Sequence, residues 1–231
     1  MQGTLIVIDG IDGSGKGTQT KLVVQRLEEE GYNVKMADFP RYDEWSSAFV
    51  SRYLRGEFGK ANEVTPKQAS LFYALDRYAA SSQIRQWLRE GAIVISNRYV
   101  SASKGHQLGK LINQDEMNEY LSWLNELEYG TLQIPKPDCT IFLHMPPVIG
   151  QKLVEQKQAR EYLQGATKDI HEADLSHLQN AERAFLFCVT NDAHENWHHI
   201  VCAEGNQPRT VESINNELYQ KIKEIITLPP P

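Results

Sequence analysis

The chain has 231 residues, 41% hydrophobic and 23% charged, enough apolar material for one sizeable core and too much for a wholly disordered polymer. With 24 basic and 30 acidic side chains its formal charge is −6, which excludes a general coat for a nucleic-acid polymer but leaves room for local basic sites that hold small anions. Cys139, Cys188 and Cys202 are widely spaced and form neither a metal-type pair nor a disulfide framework, and no apolar run approaches a membrane span. A cytoplasmic location follows as the expectation. The apolar run from Leu5 to Ile8 is ended at once by Asp9 and Gly10, which does not make a secretory signal.

Strands and helices are expected to alternate along the chain. Thr4 to Asp9 is a short β-branched run, suited to a parallel strand buried on both faces. Lys16 to Glu30 reads as a helix with Leu22, Val23 and Leu27 on one side, stopped by Gly31. Asn33 to Ala37 is a second strand. Pro66 to Glu90 carries a long helical pattern that turns Phe72, Ala79, Ile84 and Leu88 towards a core, with Gly91 as terminator. Ala92 to Ser96 is a third strand. Met117, Tyr120, Leu121, Leu124 and Leu127 form another helical stripe. Cys139 to His144 and His199 to Ala203 are the fourth and fifth strands. The last helix carries Ile214, Leu218, Ile222 and Ile225, and the proline-rich tail frays.

This alternation predicts an α/β fold, one domain over 1–231, with a five-stranded parallel sheet flanked by helices. Residues 155–180 stand apart as strongly polar. They read either as a solvated helical hairpin or as a lid that closes on phosphates.

Gly10-Ile-Asp-Gly-Ser-Gly15-Lys16-Gly17-Thr18 is the strongest motif. It follows a buried strand and opens a helix, as a phosphate-binding loop requires. The glycines let backbone N–H groups turn inward, and the helix presents its positive end to an anion. Lys16 would reach the outer phosphates, and Thr18 adds a hydroxyl. The residue after the lysine is Gly17, where the common loop has a magnesium-binding Ser or Thr. The string GKGTQ resembles the variant found in nucleoside monophosphate kinases such as adenylate kinases.

Arg41 follows the second strand, Arg77 lies inside the long helix, and Arg98 ends the third strand. Ligands of open α/β sheets sit beyond the carboxyl ends of the strands. Arginines gathered there, in an acidic protein, suit a small polyanion, because the guanidinium fork pairs with phosphate oxygens.

The segments IDGIDGSGKGTQ (8–19), DFPRY (38–42), LFYALDRY (71–78), NRYVSASKGHQ (97–107) and IPKPDCTIFL (134–143), in this order, make the chain resemble the thymidylate kinases, as a divergent branch. The resemblance implies the P-loop nucleoside monophosphate kinase fold and transfer of the γ-phosphoryl of ATP to dTMP, with Mg2+, in a homodimer. It implies a lid over 156–176 that brings Arg160 or Lys168 to the transferred phosphate. Asp12, Gly13, Ser14, Gly15, Lys16, Gly17 and Thr18 would cradle the ATP phosphates. Arg41 and Arg98 would hold the acceptor phosphate. Arg77 and Tyr73, with Phe72 second, would hold the thymine. Ser101 and Gln107 would border the acceptor pocket, and Asp9 would hold a magnesium-bound water.

Three departures from the family pattern stand out: Asn97 replaces the usual Asp, Lys104-Gly-His106 replaces small and aromatic residues, and the lid lacks a compact arginine cluster. The chemistry needs no nucleophilic side chain, since the acceptor oxygen is already anionic. His106, His144 and His171 are therefore expected to pack rather than react. The pair His198-His199 marks a strand entrance, and Trp87 and Trp123 a core or dimer contact. Two alternatives stay open: a related kinase with another acceptor, or a non-catalytic nucleotide-binding protein.

Overall fold

The computed structural model describes residues 3–60, 63–162 and 175–227, with side chains described for all but 157–162 of these. Five parallel strands form one sheet in the order β2-β3-β1-β4-β5. They are β1 (Thr4–Asp9), β2 (Val34–Asp38), β3 (Ile93–Asn97), β4 (Cys139–His144) and β5 (Trp197–Val201). Around it lie α1 (Lys16–Glu29), α2 (Ala48–Leu54), α3 (Pro66–Arg89), α4 (Val100–His106), α5 (Gln114–Asn125), α6 (Pro147–Tyr162), α7 (Leu175–Asn191) and α8 (Val211–Thr227). A two-stranded hairpin, β6 (Ala203–Glu204) with β7 (Gln207–Pro208), leads into α8.

Strand periodicity divides the core. Ile6 and Ile8 of β1 face α1 and α8, packing with Val23, Leu27, Leu218 and Ile222. Leu5 and Val7 face the other way, onto Ile84, Val100, Tyr120, Leu124 and Cys188 from α3, α4, α5 and α7. Each β1 side chain from Leu5 to Ile8 is fully buried, which is why the central strand reads as a continuous apolar run.

Local signals set several boundaries. Thr65 caps α3: its hydroxyl accepts from Gln68 N at 3.3 Å, the Gln68 side chain accepts from Thr65 N at 3.0 Å, and Pro66 takes the first helical position. Asn113 caps α5 by accepting from Asp115 N at 2.8 Å.

Other boundaries differ from expectation. β2 and β3 each begin and end one residue later than the apolar pattern suggests. β5 lies two residues earlier, because Trp197 and His198 pair with Thr140 and Ile141. Cys202 is buried, but it is past the end of that strand. In α3 the fully buried residues are Ala69, Ser70, Ala74, Asp76, Arg77, Ser81 and Ile84; of the expected Phe72, Ala79, Ile84 and Leu88 only Ile84 is among them. Ionic and small residues make this inward face, so hydropathy misplaces it. At the two ends of the polar stretch 155–180, α6 runs from Pro147 to Tyr162 and Leu178 of α7 is in the core. Residues 163–174 lie outside the described residues, and with them Lys168 and His171; the Arg160 side chain does also.

Candidate active site

β1 ends at the carboxyl edge of the sheet, and the chain turns through 10–15 before α1 begins at Lys16. Gly15 caps α1 at φ 83°, a left-handed conformation open to glycine. Gly13, at φ 82°, sits so close to the first turn of α6 that a Cβ would overlap the Gly150 carbonyl. The loop is thus braced from outside, by a helix that no loop motif identifies.

Lys16 is 9% exposed, and its Nζ donates to Asp12 Oδ1 at 2.9 Å and to the Ile11 carbonyl at 3.3 Å. Arg98 Nη2 donates to the same Asp12 oxygen. Burial would raise the Asp12 carboxyl, but Lys16 and Arg98 outweigh it and hold the group well below the usual carboxylate range. Burial, joined by the Arg98 charge, lowers the Lys16 ammonium. Two cations and one carboxylate thus meet at a helix N-terminus, an arrangement with positive charge to spare for an incoming anion.

Arg98 has φ 64° without being glycine, a strained conformation held from several sides. Its N–H donates to the Ile8 carbonyl at 3.0 Å, and its own carbonyl accepts from Ser96 Oγ at 2.6 Å. Nη1 lies 2.9 Å from His106 Nε2. A guanidinium only donates, so Nε2 is the acceptor and the ring proton sits on Nδ1, 3.2 Å from His177 Nε2. Burial first, then the Arg98 charge, hold His106 well below its ordinary value, and it stays neutral. His106 is therefore a positioning partner of Arg98, where the sequence suggests mere packing. Its nearness to an arginine that ends a strand is the only sequence signal for this.

One cavity of about 920 Å³ joins these groups; residues 12–18 line one side, and Tyr73, Arg77, Arg98, His106 and Gln107 another. A family model described as thymidylate kinase matches residues 8–204. The chain belongs to the thymidylate kinase family. It is 26% identical over 225 residues to a thymidylate kinase of Plasmodium falciparum, an alignment covering 97% of this chain and 91% of that one. It is 32% identical over 157 residues to a probable thymidylate kinase of Pyrobaculum aerophilum, covering 68% and 72%. A solved thymidylate kinase structure from Candida albicans superposes with TM-score 0.69 at 21% identity, over 100% of this chain and 96% of that one. The fold is that of the P-loop nucleoside monophosphate kinases, and membership assigns the chain the phosphorylation of dTMP by an ATP-dependent kinase.

The structure divides the residues expected to hold the acceptor. Tyr73 lines the cavity, whereas Phe72 stacks away from it on Phe49 at 5.8 Å and Phe58 at 5.0 Å. Arg77 lines the cavity and is 1% exposed. Gln107 lines it too, and its buried Oε1 has no hydrogen-bond partner among the described residues. Lys110, which the sequence does not single out, also lines it; burial pushes its ammonium down to about 8.

Arg41 and Ser101 go elsewhere. Arg41 is outside the wall: its backbone N and its Nε donate to Asp76 at 2.9 and 3.1 Å, and Nη2 donates to Ser46 Oγ at 2.7 Å. Asp76 is 1% exposed and needs that compensation. Ser101 is also 1% exposed and outside the wall; its hydroxyl donates to Asp9 Oδ2 at 2.6 Å.

Asp9 is fully buried behind the loop, with Oδ1 accepting from Gly10 N at 2.8 Å. Burial raises its carboxyl. Both oxygens thus serve the protein, and Asp9 acts as a cap on the loop. Asn97 and Asp38, by contrast, line the cavity. Asn97 Nδ2 donates to Asp38 Oδ1 at 2.8 Å, leaving a buried Oδ1 with no partner among the described residues. An orphaned oxygen beside a carboxylate fits a hydrated magnesium, which keeps several waters when phosphates supply the rest. A Cβ at Gly17 would meet nothing within 4 Å, so no steric demand explains that glycine.

His144 and His199 behave as packed residues. His144 Nδ1 lies 2.9 Å from His199 Nε2, and His144 Nε2 lies 2.7 Å from Glu182. Among the described residues no group of three His, Cys, Asp or Glu side chains could hold a metal, and no helix is long and apolar enough to cross a membrane.

Proposed function

We propose that this cavity binds ATP on residues 12–18 and dTMP between Arg98 and Tyr73, and moves the γ-phosphoryl from one to the other. The supporting observation is the single space: about 920 Å³ is at the upper end of the roughly 300–1,000 Å³ of single-ligand sites, and it runs unbroken from the phosphate loop to the acceptor wall. Lys16 follows the transferred group, where its charge gains most in the transition state. Ser14 Oγ, buried and without a partner in the wall, is a ready donor to a phosphate oxygen. Arg98, fixed by His106, holds the acceptor phosphate in line. Tyr73 lies against the thymine and Arg77 reads its edge. Arg41 would have to leave Asp76 to reach either phosphate, so its role here is to hold α3.

Asn97 and Asp38 would hold hydrated Mg2+, which supplies charge neutralisation for the two phosphates when bound. The exposed α3 face makes the contact of a homodimer. Cys139, Cys188 and Cys202 are unpaired and buried, which suits the cytoplasm; recovery of the protein in an oxidising compartment on cell fractionation would overturn that placement.

The direct experiment is ADP release across dTMP, dUMP, CMP and AMP, with Lys16→Ala as control. dTMP should be fastest and dUMP poorer without being excluded, since a slot for one methyl group gives only about 1–3 kcal/mol. Lys16→Ala should lose at least about 100-fold in turnover. Faster phosphorylation of AMP or CMP would sink the acceptor assignment.

A further inference from the structure

Arg77 borders the cavity but is not built like an anion site. Of its five N–H groups, Nε donates to Glu128 Oε1 at 3.1 Å and Nη2 donates to the same oxygen. The second Nη2 hydrogen goes to Ser103 Oγ at 3.1 Å, and one Nη1 hydrogen goes to the Tyr99 carbonyl at 3.2 Å. One N–H remains without a partner among the described residues. An arginine that grips a phosphate offers paired donors and an uncompensated charge. Arg77 offers one donor, and its charge is answered by a carboxylate that is 0% exposed.

Glu128 owes its place to the end of α5. It follows Leu124 by four residues, so it extends the inward row Met117, Tyr120, Leu121 and Leu124. The turn Glu126–Thr131 is a π-helix, a form that often marks functional sites. A carboxylate in an apolar row requires a buried cation, and its second oxygen, Oε2, has no hydrogen-bond partner among the described residues. Arg77, 51 positions away in sequence, is the group that pairs with it.

We propose that Glu128 is a positioning residue for acceptor specificity: by taking two N–H groups and the charge of Arg77, it turns that arginine into a single fixed donor for a carbonyl oxygen of the acceptor base. This rests on the reading that Arg77 faces the base. A fixed donor favours a 4-oxo pyrimidine, such as thymine, and opposes a 4-amino pyrimidine, which presents hydrogens at the same place. By neutralising Arg77, it also keeps the far end of the cavity from competing with Lys16 and Arg98 for the phosphate.

Glu128→Gln keeps the shape and removes the charge. The ratio of kcat/KM for dTMP to that for dCMP should fall by at least about 10-fold, mostly through the KM for dTMP, with the KM for ATP unchanged. A merely structural role would lower both acceptors alike and leave the ratio where it was; that result overturns the proposal. If Glu128→Gln does not fold, Glu128→Asp, which keeps the charge and withdraws it by one methylene, carries the same test with the same two outcomes. Arg77→Gln, combined with Glu128→Gln so that no charge is left buried alone, separates the two levels. An unchanged ratio in that double variant sinks the base reading of Arg77 itself. A collapsed ratio there, with an intact ratio in Glu128→Gln, sinks only the part given to Glu128.

Discussion

Asn97 and Asp9 end neighbouring strands, yet only Asn97 lines the cavity. Asn97 lines it with an Oδ1 that has no partner among the described residues, whereas Asp9 spends both oxygens on Gly10 N and Ser101 Oγ. Asp38 adds the nearby negative charge, although burial raises its carboxyl against the opposing pull of Asn97 and Arg98. Outer-shell partners of a bound metal typically contribute about 10–100-fold in affinity. Asn97→Ala should therefore raise the magnesium concentration for half-maximal rate by about 10-fold. Asp9→Asn should weaken the loop while leaving that concentration close to wild type. Magnesium titrations of both variants check this; the reverse pattern would return the metal water to Asp9.

At the scale of the element, α4 is a short helix whose side chains hold three groups in place: Ser103 accepts from Arg77, Ser101 donates to Asp9 and His106 accepts from Arg98. Lys104 anchors it. Its fully buried Nζ donates to Asp192 at 2.5 Å and Glu195 at 2.6 Å, while Tyr129 and Thr140 donate to Glu195 at 2.6 and 2.7 Å. Burial would lower the Lys104 ammonium, but Glu195 and Asp192 outweigh it and raise the group. This explains a lysine where the family pattern has a small residue: it is a pin between α4 and the segment before β5, not a ligand. Lys104→Met would strand two buried carboxylates. Removing one partner of a buried ion pair costs about 3–5 kcal/mol, and chemical denaturation should show a loss of that order. A loss under about 1 kcal/mol, the range of exposed pairs, would mean that the network carries no weight.

At the scale of the whole molecule, the outer row of α3 is left apolar. Leu71, Leu75 and Tyr78 are 42%, 47% and 50% exposed at helical spacing, and Phe49 nearby is 51% exposed. A patch of this kind marks an interaction surface, and a second copy of the chain is its proposed occupant. Leu75→Glu should convert a dimer to a folded monomer in sedimentation equilibrium. A wild-type protein that sediments as a monomer at micromolar concentration would sink the homodimer.

What the sequence by itself determined is local. The phosphate loop needs only a buried strand, glycines at 13 and 15 and a helix start at Lys16, all contiguous, so it is legible without tertiary information. The unbroken apolar run of β1 and the end of α1 before Gly31 are legible for the same reason. Tertiary structure decided which charges stay free. Arg41, Arg77 and Arg98 look alike in sequence, but Asp76 is 35 positions from the first, Glu128 is 51 from the second and Asp12 is 86 from the third. A buried ion must find its partner wherever the packing places one. Only Arg98 keeps its charge beside the phosphate loop; Arg77 becomes a single donor, and Arg41 a brace. The same holds for Gly150, which presses on the loop from α6, and for Ser101, which turns to Asp9 instead of the cavity. These are contacts between elements brought together by the sheet order, which periodicity along the chain does not encode.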